Sequence, residues 1–256
     1  MFGGNFSTFC PKPKVRILIL CFTFFAFAVE VLFGISCHGD SPSKSPSNGA
    51  KKTVDAQLEE LPAPSLGRAA ELNRVFQQRR SVRGFLRKRL SKEDISLILW
   101  AGFGFKRGED SSIQISEATR PAPSAGRIYG LKIYVLSEGK LHLYLPEQHS
   151  LSLFNENVDA DELASACLNQ GFIAQAPCIL IITAVMDEYR ASYGERGMRY
   201  VYIDTGHASQ NVLLEAEALG LGTVPVGAFD DEEVARILGI TKNEQPIYII
   251  PVGYYQ

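Results

Sequence analysis

Residues 177–186 read PCILIITAVM, and Thr183 is the one clearly polar side chain in the run. A strand with one wet face alternates apolar and polar side chains, whereas a strand covered on both faces reads as a continuous apolar run. The segment is therefore predicted to be a central strand with material packed on both sides.

Downstream, Gly194-Glu195-Arg196-Gly197 leads into the longest helical stretch, residues 199–219, closed by Gly220 and Gly222 as helices commonly stop. Residues 223–226 read as a short strand. Asp230 is placed to cap a helix that runs through Leu238 and ends at Gly239, and residues 247–252 form the last predicted strand. Upstream, residues 161–174 read as a helix and 147–158 as irregular chain. Residues 131–136 and 141–145 form a predicted hairpin across Ser137-Glu138-Gly139-Lys140. Further back, Ser91-Lys92-Glu93-Asp94 is a capping box flanked by Leu90 and Ile95 at staple positions, and residues 66–78 carry an apolar face of helical period. A hairpin, separated strands and a long core helix give an α+β class: a mixed β-sheet flanked by helices.

The chain has 256 residues, 46% of them apolar, enough for one domain with a sizeable core plus an appendage. A formal net charge of −2 gives no sign of a nucleic-acid partner, which normally announces itself as a basic domain. The cysteines and histidines show no ligand-like spacing, so no metal is expected, and Cys167 and Cys178 read as buried apolar residues rather than a disulfide. Lys12, Lys14 and Arg16 lie at the head of an apolar run over residues 15–29, followed by a Ser/Pro/Lys-rich stretch. Residues 1–37 are expected to form a signal peptide cleaved near Ala28, a lipoprotein signal ending at Cys37, or a retained membrane anchor. Residues 38–60 are a tether and 61–256 the globular domain, on the periplasmic or cell-envelope side.

Three stretches carry candidate chemistry. Arg79, Arg80, Ser81 and Arg83 pack guanidiniums and a hydroxyl into five residues behind a helix, which reads either as a phosphate clamp or as a solvated basic face. The turn-rich loop Arg120-Pro-Ala-Pro-Ser-Ala-Gly126 is either a close backbone approach to a planar ligand or an ordinary connection. On the long helix, His207 lies three residues from Asp204 and shares its face. That pair suits a general base oriented by a carboxylate, a metal pair, a surface hydrogen bond or a dimer contact. Gly102-x-Gly104 with Gly108 is not a dinucleotide motif, because it closes a helix instead of following a strand.

Taken together, RRSVRGF (79–85), RPAPSAGRIYGLKIYVL (120–136), YGERGMRYVYIDTGHASQNVLLEAEALGLG (193–222) and VPVGAFDDEEVARILGI (224–240) resemble the nitroreductase-like flavoproteins, specifically the branch of SagB-type azoline dehydrogenases. The resemblance covers about residues 70–254 and implies FMN held at the interface of a domain-swapped-type homodimer, with NAD(P)H as a donor and a small-molecule or peptide redox substrate. It implies that Arg79, Arg80, Ser81 and Arg83 bind the FMN phosphate and ribityl chain. It also implies that Pro123, Ser124, Ala125 and Gly126 come from the partner subunit against the flavin. Gln210 and Asn211 match polar positions on the long helix, and Val226, Gly227 and Ala228 match backbone beside the isoalloxazine ring. Azoline dehydrogenases of this branch carry a Lys-Tyr pair where this chain has Ser192-Tyr193. Tyr193 retains a proton to pass, whereas Ser192 cannot replace an ammonium, so the expected activity is that of a general FMN oxidoreductase. The rival expectation is a non-catalytic exported flavin-fold binding or scaffold protein.

Overall fold

In the computed structural model the run at 177–186 is a strand, Cys178–Val185, with seven of its eight residues buried. Residues 67, 69–106 and 119–256 are described, all within the unit Leu61–Gln256. The N-terminal signal and tether expectations lie outside the described residues. Helices α1 (Ala70–Gln78) and α2 (Lys92–Phe103) precede a meander of strands β1 (Leu131–Ser137), β2 (Lys140–Leu145) and β3 (Ser150–Asn155). Short helices α3 (Ala160–Ala166) and α4 (Phe172–Gln175) lead into the central strand, β4 (Cys178–Val185). Then follow α5 (Met186–Tyr193), α6 (Gly197–Ala218), β5 (Gly222–Thr223), α7 (Asp231–Leu238) and β6 (Glu244–Gly253).

The strands form one sheet in the order β3-β2-β1-β4-β6-β5, with antiparallel neighbours throughout. An isolated parallel bridge, Ser81 to Thr223, extends it beyond β5 and makes it mixed. Because side chains alternate across a strand, β4 feeds two cores. Leu180 and Ile182 join Ile133, Val135 and Ile250 against Leu99 and Phe103 of α2 and Ala208 and Val212 of α6. Ile179 and Ile181 join Tyr134 and Ile249 against Leu163, Ile173, Val234 and Leu238. Each such aliphatic side chain contributes roughly 1.5–3 kcal/mol by leaving water, so this strand has no tolerable wet face.

The local signals act as written. Ser91 Oγ accepts the Asp94 N–H at 3.0 Å while Asp94 receives the Ser91 N–H, and Leu90 and Ile95 both pack on the core beneath. Glu138 and Gly139 turn the β1–β2 hairpin at φ 55° and 76°, and Gly239 ends α7 in the left-handed region at φ 75°. Four expectations are corrected. Residues 147–158 are not irregular, since Ser150–Asn155 is the edge strand β3, whose side chains are mostly exposed. The helix expected over 161–174 is broken where Leu168 and Asn169 take φ 56° and 59°, leaving α3 and α4. The apolar run stops being strand at Val185, because Asp187 and Glu188 in the first turn favour a new helix, α5. The last strand extends to Glu244–Gly253, with Pro246 accommodated at a register shift opposite Thr183. Among the described residues no helix is long and apolar enough to cross a membrane.

Candidate functional site

The arginine cluster lies where α1 ends and the chain joins the sheet edge. Arg79 donates its backbone N–H to Val75 O, closing the helix. The Val82 N–H then donates to Thr223 O at 2.9 Å. That register sends Val82 into the core, where it packs so close to Gly222 that a Cβ there would stand 2.8 Å from Val82 Cβ. Its neighbours Ser81 and Arg83 must consequently point outward, as extended backbone alternates. Arg80, Ser81 and Arg83 line a cavity of about 480 Å³ together with Gln175 and Tyr255, whereas Arg79 is half-buried outside that lining. The Arg80 guanidinium stands 5.2 Å over the Tyr255 ring and that of Arg83 5.6 Å over Phe172. Among the described residues none of the three arginines forms an ion pair, so the positive charge of the cavity is left for something else.

The loop 120–126 is fastened to α6. Asp204, buried on that helix, accepts the Ser124 hydroxyl at 2.8 Å, the Ala125 N–H at 3.1 Å and the Tyr189 hydroxyl at 3.1 Å. Burial, followed by the charge of Asp204, pushes the Tyr189 phenol well above its ordinary value, so it stays a donor. Gly126 takes φ 57°, and a Cβ there would lie 2.5 Å from the Tyr193 hydroxyl; the glycine is what lets Tyr193 lie on the loop. Tyr193 in turn packs its ring 4.5 Å from that of Tyr200. At the head of the loop, Arg120 is held between the rings of Phe105, at 4.8 Å, and Tyr129, at 4.4 Å. Burial lowers its pKa, with Glu147 the largest opposing influence.

Of the other sequence candidates, Val226 is buried and exchanges both backbone hydrogen bonds with Ile249, at 2.8 and 3.0 Å. That bridge leaves Gly227 and Ala228 exposed, with Ala228 O accepting from Gln170 at 3.1 Å. Asn211 donates its amide to Ala101 O at 3.0 Å and so joins α6 to α2, while Gln210 is exposed. Asp204 and His207 do not act as a pair: the carboxylate is committed to the 124–125 loop and Tyr189, and the imidazole faces outward. The structure thus brings together Arg80, Ser81 and Arg83 in one place, and Ser124, Ala125, Gly126 and Tyr193 in another. Asp204 as an anchor, Arg120 and Tyr255 were not legible as parts of these places. The available signals were an Asp on the buried stripe of a long helix and an Arg opening a proline-rich loop.

A family model described as "Nitroreductase family" matches residues 76–254. The chain is 41% identical over 190 residues, 72% of its length and 90% of the other, to a protein of Methanocaldococcus jannaschii described as "Putative nitroreductase MJ1384". A crystal structure from Ralstonia eutropha described as "a putative nitroreductase" aligns with a TM-score of 0.63 at 24% identity, over 72% of this chain and 83% of that one. The NADPH:FMN oxidoreductase of Vibrio harveyi, complexed with NAD+, aligns with a TM-score of 0.53 at 19% identity, over 72% and 68% of the two chains.

Proposed function

Because this chain belongs to the nitroreductase family of oxidoreductases, we propose that it is an FMN-dependent enzyme that passes a hydride between a reduced nicotinamide and a small-molecule acceptor. The observation that carries the reading is the cavity edged by Arg80, Ser81 and Arg83, whose guanidiniums have no carboxylate partner among the described residues. Two charged forks and a hydroxyl suit a phosphate dianion, and Arg79 adds a third positive charge nearby. The residues present therefore fit the phosphate end of FMN. Gly227 and Ala228 fit the ring end, since their backbone is exposed and a Cβ at Gly227 would meet nothing closer than the Tyr248 ring at 3.6 Å.

When bound, FMN supplies hydride acceptance and donation at its ring. The chain's own part is to hold and to orient. Arg80, Ser81 and Arg83 fix the phosphate, Val226 presents the 227–228 backbone from a paired position, and the Pro123–Gly126 loop is offered to a partner subunit as a surface that Asp204 keeps rigid. Gln210, exposed on α6, and the acceptor oxygen of Asn211 are the polar groups that the long helix offers. Tyr193 holds a proton at its hydroxyl beside Gly126 and is the group to exchange it with substrate. Its neighbour Ser192 is neutral, which favours a general reductase over a dehydrogenase acting on peptide azolines. A homodimer is supported by apolar side chains left exposed on α1 and α6: Leu72, Phe76, Tyr202 and Ile203. The basic and apolar N-terminal sequence supports a location on the envelope side of a membrane. The NADPH and FMN in the name of the Vibrio harveyi protein support the choice of donor.

An activity screen of the full chain with FMN and reduced nicotinamides, against quinone, nitroaromatic and thiazoline acceptors, tests the reading. Turnover with at least one quinone or nitroaromatic is expected, slowed in Tyr193→Phe. Turnover with the thiazoline alone would restore the azoline reading, and none with any acceptor would favour a scaffold.

A further inference from the structure

We infer that the cavity between α2 and the β2–β3 turn is a second binding site, for a small carboxylic acid with an apolar body. It encloses about 390 Å³, within the range of small-molecule pockets, and shares no lining residue with the cavity of the arginine cluster. Its walls follow from periodicity. Lys92, Ile95, Ser96 and Leu99 share one face of α2 at helical spacing, and His142 and Tyr144 share one face of β2 at strand spacing.

One wall is rigid. Ser96 Oγ lies 2.6 Å from His149 Nε2, and His149 Nδ1 lies 2.6 Å from the Tyr144 hydroxyl, so a single imidazole ties the helix to the turn. His149 reaches that position with φ 50°, in the left-handed region that few side chains adopt. The other polar groups are uncommitted. Among the described residues neither the Lys92 ammonium nor the half-buried His142 imidazole has a hydrogen-bond or ion-pair partner. Both face a cavity with no acidic side chain among its described lining residues, so an anion is preferred over a cation. One ammonium and one imidazole match a single negative charge better than a phosphate dianion. Ile95, Leu99 and Leu151 offer an apolar floor that a bare inorganic ion would leave wet. The inference stands whether or not the flavin reading holds.

Naphthoate is the probe, titrated into the full chain with FMN present and followed by amide chemical shifts. Saturable shifts are expected in residues 92–99 and 142–151, with the affinity falling about tenfold in Lys92→Gln and in His142→Gln, as for a lost charge-assisted hydrogen bond. The uncharged analogue naphthylmethanol should bind more weakly than naphthoate. Shifts confined to residues 226–228 would place the acid at the proposed flavin site instead. That result, the absence of saturation, or an affinity unchanged in both variants would overturn the proposal. Either variant suffices if the other fails to fold.

Discussion

Ser124 donates its hydroxyl to Asp204 across 2.8 Å, joining a proline-rich loop to the middle of α6 over 80 positions of sequence. The same carboxylate collects the Ala125 N–H and the Tyr189 hydroxyl, so three donors depend on one buried acceptor. Removing it orphans them. Asp204→Ala is expected to cost about 1–3 kcal/mol, and Ser124→Ala about 1 kcal/mol, in urea unfolding monitored by circular dichroism. Equal stability of Asp204→Ala and wild type would show that the loop is not held this way.

Gly126→Ala places a methyl group 2.5 Å from the Tyr193 hydroxyl at a φ of 57°. The backbone strain alone is expected to cost about 1–3 kcal/mol. Tyr193 must also move, so its environment, read by tyrosine fluorescence or by a ring-labelled NMR signal, should change with the stability. A variant as stable as wild type with an unmoved Tyr193 would contradict the close approach.

The cavity of the arginine cluster makes a graded prediction. Arg80→Ala and Arg83→Ala should each weaken FMN binding by ~1.5–3 kcal/mol, the worth of a charge-assisted hydrogen bond, and the double variant by more than either. Arg74→Ala serves as the control, because that guanidinium is spent on Gln78 at 2.8 Å along the same helix face. Calorimetric titration of FMN separates these cases, and an affinity indifferent to residues 80 and 83 would remove the phosphate assignment.

Cys167 and Cys178 are free and buried, and burial pushes both thiols up to about 12. An unfolded chain releases these protons from about pH 9, while the folded protein keeps them until about 12. The stabilisation is therefore complete below pH 9 and is lost as the pH rises toward 12, at ~1.4 kcal/mol per pH unit for each thiol. Urea midpoints above pH 9 should fall less steeply in Cys178→Ala than in wild type. Parallel slopes would place that thiol in contact with water.

How far the sequence reveals this molecule depends on whether a signal is local. The continuous apolar run of β4, the Ser91 cap, the Glu138-Gly139 turn and the Asp230–Gly239 helix limits are each written within a few residues, and all four were readable. The edge strand β3 also had a signal, the alternation Ser150-Leu151-Ser152-Leu153 that puts two leucines on one face, but it spans only four residues before Phe154 breaks it. The break between α3 and α4 depends on left-handed conformations at Leu168 and Asn169, which composition does not announce. At the candidate site, the cluster of residues 79–83 is short-range and visible in the sequence, and Arg80, Ser81 and Arg83 line one cavity. The bond of Asp204 to Ser124 was not, because helical spacing paired the carboxylate with His207, whereas tertiary packing turned it to a loop far away in sequence. Arg120 was likewise hidden, since its place between Phe105 and Tyr129 is a product of folding alone.

The most direct test is an anaerobic titration of the full chain, reconstituted with FMN, with a reduced nicotinamide while the visible flavin absorbance is recorded. The bound flavin is expected to bleach stoichiometrically with the donor and to recover on adding a quinone, with little flavin retained by the Arg80→Ala/Arg83→Ala variant. A chain that leaves all the FMN in the filtrate, or that binds it without bleaching under any nicotinamide donor, would contradict it.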